Sequence, residues 1–163
     1  MKNKSTLFLV QAAMIAAIYV VLTFVFAPIS FGEVQVRIAE ALTILPAFTP
    51  AAIPGLFVGC LIGNITGGAM LPDIVFGSVA TLIGAVFTYY FSKKNPYLAP
   101  LPPIISNTII VPMILRFGYG INLPIPLLML SVGIGEVLSC GVLGMILFFA
   151  LRKYQNVLFK KTA

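Results

Sequence analysis

Long apolar runs broken at proline- and glycine-rich joints set the pattern of this chain. Residues 6–27, 51–67, 72–92, 100–117 and 124–151 each form one such run, and a shorter one, 33–48, ends at Pro46 and Pro50. A membrane-crossing helix needs about 20 apolar residues. The pattern therefore predicts six helices, the second of them short. Ala27-Pro28, Phe48-Thr49-Pro50, Gly67-Gly68, Asn95-Pro96 and the stretch from Gly118 to Pro124 supply the joints. The expected fold class is all-α: a polytopic membrane protein, a compact bundle of six transmembrane helices forming a single domain over 1–163. The first run has a basic start. It is too long for a signal-peptide core and has no persuasive small-residue cleavage site, so a retained helix is expected.

Composition agrees. Sixty per cent of residues are apolar, 9% are charged and the mean hydropathy is +1.10. No soluble domain of this length could keep that much apolar surface from water. An isoelectric point near 9.6 would suggest a nucleic-acid partner in a soluble protein. Here the basic residues flank apolar runs, so the partner they indicate is the lipid bilayer and no nucleic acid is expected. Eight of them lie at three places: Lys2 and Lys4, Lys93 and Lys94, and the tail Arg152, Lys153, Lys160 and Lys161. With six crossings and a cytoplasmic N-terminus, all eight fall inside, as the positive-inside rule requires. Both termini are expected to be cytoplasmic.

Several chemistries are excluded. With no histidine, histidine triads and HExxH zinc sites are absent. Cys60 and Cys140 lie far apart in apolar runs without CxxC spacing, which reads as free buried thiols. No nucleophile–base pair or metal cluster is legible, so neither an enzyme nor a cofactor is expected. There is no GxxxxGK[ST], so any work that needs ATP would fall to another chain.

Two faces are built from small residues. Gly55, Gly59, Gly63 and Gly67 recur every four positions and form a bare ridge that lets another backbone approach. Ala12 with Ala16 and Ala13 with Ala17 make two small-xxx-small pairs on the first helix. Spacing alone leaves packing within the monomer and contact with a partner both open.

The remaining charges, Glu33, Arg37, Glu40, Asp73, Arg116 and Glu136, lie inside or at the edges of apolar runs. Ionisable groups at such positions usually face an interior or a cavity. Glu33, Arg37 and Glu40 are spaced four and three apart and would share one face of a helix, where Arg37 could bridge both acids. Asp73 follows Pro72 and reads as a cap or first-turn acid. Glu136 lies deep in the sixth run behind Gly133 and Gly135. A carboxylate at that depth must find a partner such as Arg37, take a proton or meet a ligand. Asn107 sits at a similar depth, about 15 Å against about 18 Å from the outer helix ends. Its amide suits either the edge of a heterocycle or an interhelical hydrogen bond. Asn64 can cap the third helix or join the group. Phe31, Phe76, Phe117 and Tyr119 are aromatics at similar depth that could stack on a flat ring. If these residues converge, they line a pocket open to the outside.

The run Glu33-Val34-Gln35-Val36-Arg37-Ile38-Ala39-Glu40-Ala41-Leu42-Thr43 leads into Leu45-Pro46, Pro54-Gly55-Leu56 and Gly59-Cys60-Leu61-Ile62-Gly63-Asn64. Further pieces are Asp73-Ile74-Val75-Phe76-Gly77, Ala80-Thr81-Leu82, Leu101-Pro102-Pro103 with Asn107, and Val132-Gly133-Ile134-Gly135-Glu136. Over nearly its whole length the chain resembles the QueT family, S-components of energy-coupling-factor (ECF) vitamin transporters assigned to queuosine precursors. The resemblance implies a multi-pass protein of a prokaryotic cell membrane. It also implies a partner module of two ATPases and a transmembrane coupling protein, and a small-molecule substrate of the 7-deazaguanine class. An alanine pair on the first helix would meet the coupling protein, either Ala13 with Ala17 or Ala12 with Ala16. The substrate-binding candidates are Glu33, Arg37, Glu40, Asn64, Phe76, Asn107 and Glu136. An S-component for another vitamin, a small membrane enzyme acting on lipid, and a structural subunit are the alternatives.

Overall fold

The computed structural model describes residues 2–30 and 36–159, and every regular element among them is helical. Helix 1 is Lys2–Val25, followed by a single turn, Ala27–Ser30. Helix 2 is Ile38–Ala47 and helix 3 is Ala52–Thr66. Helix 4 is Asp73–Lys94, and its first turn, Asp73–Gly77, is π-wound. Helix 5 is Leu101–Met113 continued by a π turn, Ile114–Gly118. Helix 6 runs Ile125–Glu136, a π segment Val137–Leu143, then Gly144–Leu158. Helices 1, 4, 5 and 6 are long and apolar enough to cross a membrane; helices 2 and 3 are apolar but shorter.

Helix 2 departs from the expected α-helix over 33–48. It starts at Ile38, after Arg37 in extended backbone (φ −88°, ψ 95°), and winds as a 3-10 helix. Its ten residues rise roughly 20 Å at about 2 Å each, less than the ~30 Å hydrocarbon core. Ala39 to Pro46 are all buried, and the helix touches helices 1, 3, 4 and 6. It forms the centre of the bundle.

The glycine ridge packs helix 3 on helix 1. A Cβ on Gly55 would lie 2.7 Å from the Ala12 carbonyl oxygen, and one on Gly59 would lie 2.8 Å from Tyr19 Cβ and 3.1 Å from Ala16 Cα. On Gly63 it would meet Thr23 Oγ1 at 3.2 Å. The ridge is thus used within the monomer. Helix 3 then stops in a Schellman motif: Ala69 N–H bonds to Asn64 O, Gly68 N–H bonds to Ile65 O, and Gly68 takes φ +74°. Helices 4 and 5 cross where Gly84 faces Pro103.

Polarity is distributed as lipid requires. Leu9, Val21, Phe24, Leu130 and Ile146 are exposed, while Arg37, Glu40, Asn64, Asp73, Asn107 and Glu136 are buried. Lys4, Lys93 and Lys94 are exposed at helix ends, and Arg152 and Lys153 are exposed within the last two turns of helix 6.

Candidate functional site

The buried polar groups form one connected series through the bundle, and every helix contributes. Its first half is an ion pair. Arg37, at the mouth of helix 2, places Nη2 3.0 Å from Asp73 Oδ2. Its Nη1 donates to Asn64 Oδ1 at 3.4 Å, and Asn64 Nδ2 donates to the Asp73 carbonyl at 3.2 Å. Tyr119, in the loop after helix 5, donates to Asp73 Oδ2 at 3.3 Å and accepts from Met70 N–H at 3.1 Å. Burial holds the Tyr119 phenol above its ordinary pKa, so it remains a donor near neutrality.

The π turn explains why Asp73 points inward. Asp73 and Gly77 are both buried, one turn apart, while Val75 and Phe76 are exposed. A Cβ on Gly77 would lie 2.6 Å from Asp73 Oδ1. Glycine is needed there because the carboxylate fills the space.

The second half gathers two acids. Glu40 is 1% exposed, Asn107 3% and Glu136 4%. Tyr19 of helix 1 donates its phenolic hydrogen to Glu40 Oε1, and Thr81 Oγ1 lies 3.4 Å from the same oxygen. Asn107 Nδ2 approaches Glu40 Oε2 at 3.5 Å and also interacts with the Glu136 carboxyl. The Cys140 thiol donates to Glu136 Oε2 at 3.2 Å. One ligating atom each from Glu40, Glu136 and Cys140 lie within 4.8 Å of one another. Asn107 and Glu136 each stand eleven residues inside the helix ends at Gly118 and Ile125, about 16 Å along the axis. Cys60 links the halves, within 3.6 Å of Asn64 Nδ2 and 3.4 Å of Thr81 Oγ1.

Arg37, Glu40, Asn64, Asn107 and Glu136 are therefore brought together. The expected bridge from Arg37 to Glu40 is replaced by the pair with Asp73, because extended backbone at Arg37 breaks the helical spacing that would have stacked the two. Glu33 and Phe31 lie outside the described residues. Phe76 is not part of the cluster. With the more exposed Phe117 (77%) it lines a separate surface cavity of about 480 Å³, together with Pro72, Met113 and Gly118. On helix 1, Ala12 and Ala16 face helix 3, whereas Ala13 and Ala17 are exposed.

Sequence reasoning missed Tyr19, Thr81 and Cys140 and gave Asp73 only a capping role. One signal for Asp73 was present: a buried Arg37 needs a carboxylate. Tyr19 lies three residues after Ala16, on the face that the glycine ridge meets.

An apolar exterior around a sealed polar interior defines a helical membrane protein with a candidate site for a small polar molecule. The profile of the QueT transporter family matches residues 9–153, and the chain belongs to that family. That family is one of transporters. A protein of Lactococcus lactis subsp. cremoris (strain MG1363), named queuosine precursor transporter QueT, is 33% identical over 85 residues. That alignment covers 51% of this chain and 50% of the relative, so the chain spans about half the length of the curated relative it matches. No solved structure matches.

Proposed function

We propose that the protein is the substrate-binding S-component of an ECF-type importer and captures a queuosine precursor, a 7-deazaguanine. Family membership and the relative's name support the substrate class. The observation that carries the reading is the convergence of Glu40, Asn107 and Glu136 at mid-bundle. A carboxylate accepts from N1–H and the exocyclic N2–H₂ of such a base, and an amide serves its O6 edge. Glu136 and Asn107 fill these two roles, with Glu40 beside them. The Arg37–Asp73–Asn64 group holds the outer wall. Asp73 lies eight residues before Thr81 on helix 4, about 12 Å nearer the helix start. Substrate enters from outside past Tyr119.

The chain crosses the cell membrane six times with both termini cytoplasmic. It then docks on a transmembrane coupling protein through Ala13 and Ala17 and topples, and two ATPases on partner chains reset the complex. The exposure of Ala13 and Ala17 supports that pair over Ala12 and Ala16.

Equilibrium binding to the purified full chain in detergent tests this reading. Queuine, 7-aminomethyl-7-deazaguanine and 7-cyano-7-deazaguanine are compared with riboflavin, biotin and thiamine. Saturable binding of a 7-deazaguanine alone is expected; preference for one of the vitamins would reject it.

A further inference from the structure

Four buried charged residues stand in the bundle among the described residues: Arg37, Glu40, Asp73 and Glu136. They sum to one positive and three negative charges, a deficit of two. Arg37 is paired with Asp73. The other two acids, Glu40 and Glu136, bring oxygen atoms within 4.8 Å of each other, shielded from water. Their hydrogen-bond partners are all neutral, Tyr19, Thr81, Asn107 and Cys140, and the one cation that acts on both, Arg37, is already ion-paired with Asp73. Two like charges this close, in a medium that screens poorly, need a positive counter-charge or a proton between them.

An upper bound of 4.8 Å between these atoms admits an ammonium group. An ammonium nitrogen about 2.8 Å from each of two acceptors, at its tetrahedral angle, holds those acceptors roughly 4.6 Å apart. It has three hydrogens to donate and no acceptor of its own. Ser139, in the π segment that follows Glu136, is fully buried, and its Oγ has no hydrogen-bond partner among the described residues. We infer that the Glu40–Glu136 pair is a receptor for a positively charged amine, so that the site selects a precursor with an alkylammonium arm over neutral ones. The inference rests on the proposed 7-deazaguanine reading and deepens it. With an amine on the acid pair, the ammonium replaces the N1–H and N2–H₂ edge as the partner of Glu136, and the heterocycle's edges turn toward Asn107 and the Arg37–Asp73–Asn64 half. Glu136 then answers to charge as well as to hydrogen bonding.

The test changes the ligand first and leaves the protein intact. Affinities of the wild-type full chain are measured for 7-aminomethyl-7-deazaguanine, its neutral near-isostere 7-hydroxymethyl-7-deazaguanine and the 7-cyano compound. The amine is expected to bind about tenfold or more tighter than either, as for a hydrogen bond to a charged group. Glu40→Gln and Glu136→Gln should each reduce that ratio toward one. Equal affinity of amine and alcohol would overturn the inference while leaving the function intact. A stoichiometric divalent metal in the purified protein, lost on Cys140→Ser, would also overturn it by giving the acids another counter-charge. Binding of none of the three compounds would sink both readings together.

Discussion

Tyr19 of helix 1 donates its phenolic hydrogen to Oε1 of Glu40, 21 residues further along the chain, and both side chains are 1% exposed. The bond needs helix 1 to lie almost in contact with helix 3. Gly59 makes that possible, since it presents only a hydrogen where Tyr19 Cβ and the Ala16 backbone approach. A residue with no side chain thereby fixes the donor to a buried acid.

Gly59→Ala should act on this relationship first. The added methyl would stand 2.8 Å from Tyr19 Cβ and 3.1 Å from Ala16 Cα and O, and backbone cannot swing aside. Overpacking of this kind costs about 1–3 kcal/mol. Thermal unfolding in detergent should report a clear fall in Tm, with weakened ligand binding from displaced Tyr19. Gly133→Ala is the control, because its nearest neighbour, Thr108 Cγ2, is at an ordinary 3.5 Å. Equal Tm values for the two variants would contradict the packing argument.

Asp73→Asn tests the ion pair. The change leaves the Arg37 guanidinium buried beside a neutral amide, and removing one partner of a buried pair costs about 3–5 kcal/mol. The described salt bridge is 3.0 Å long, with side chains 8% and 2% exposed, so solvent offers little rescue. Loss of folded protein on size-exclusion chromatography is expected. Arg37→Met combined with Asp73→Leu should recover much of it, because two apolar groups strand no charge. A stable single variant would show that the pair does not hold helix 2 to helix 4.

The parts legible in the sequence are those where one physical rule dominates. Helices 1, 4, 5 and 6 follow from apolar length alone. The burial of Glu40, Asn107 and Glu136 follows from the cost of charge and amide in hydrocarbon. Helix 2 was not legible as a 3-10 helix, because nothing in Ile38 to Ala47 distinguishes that winding from a short α-helix; the surrounding bundle selects it. Arg37 was therefore matched with Glu40 by helical spacing that does not apply. Asp73 looked like a terminal acid after Pro72, and only the π turn with Gly77 beneath it turns the carboxylate inward. Tyr19 carried no signal of its own, since one phenol in an apolar run reads as core or belt.

Glu136→Gln keeps the shape of the side chain and removes its charge and half of its acceptor capacity. Cys140 can still donate to the remaining carbonyl oxygen, so the fold should survive. Affinity for a 7-deazaguanine should fall by about 1.5–3 kcal/mol, the range for a lost hydrogen bond to a charged group. Titration of the detergent-solubilised variant measures this directly. Unchanged affinity would assign Glu136 a purely structural part alongside Cys140.

The two alanine pairs on helix 1 should separate cleanly. Ala16 is buried and the Ala12 carbonyl lies against Gly55, so Ala12→Leu with Ala16→Leu forces helix 1 off helix 3 and lowers stability whether or not a partner is present. Ala13 and Ala17 are exposed, and Ala13→Leu with Ala17→Leu meets no atom of the bundle's interior. Small residues at such a face allow close helix approach, which leucine prevents. The outer double variant should keep wild-type Tm and ligand affinity yet fail to co-purify with a transmembrane coupling protein. If it co-purifies as well as the wild type, the docking face lies elsewhere on the chain. If it unfolds instead, the outward assignment of that pair is at fault.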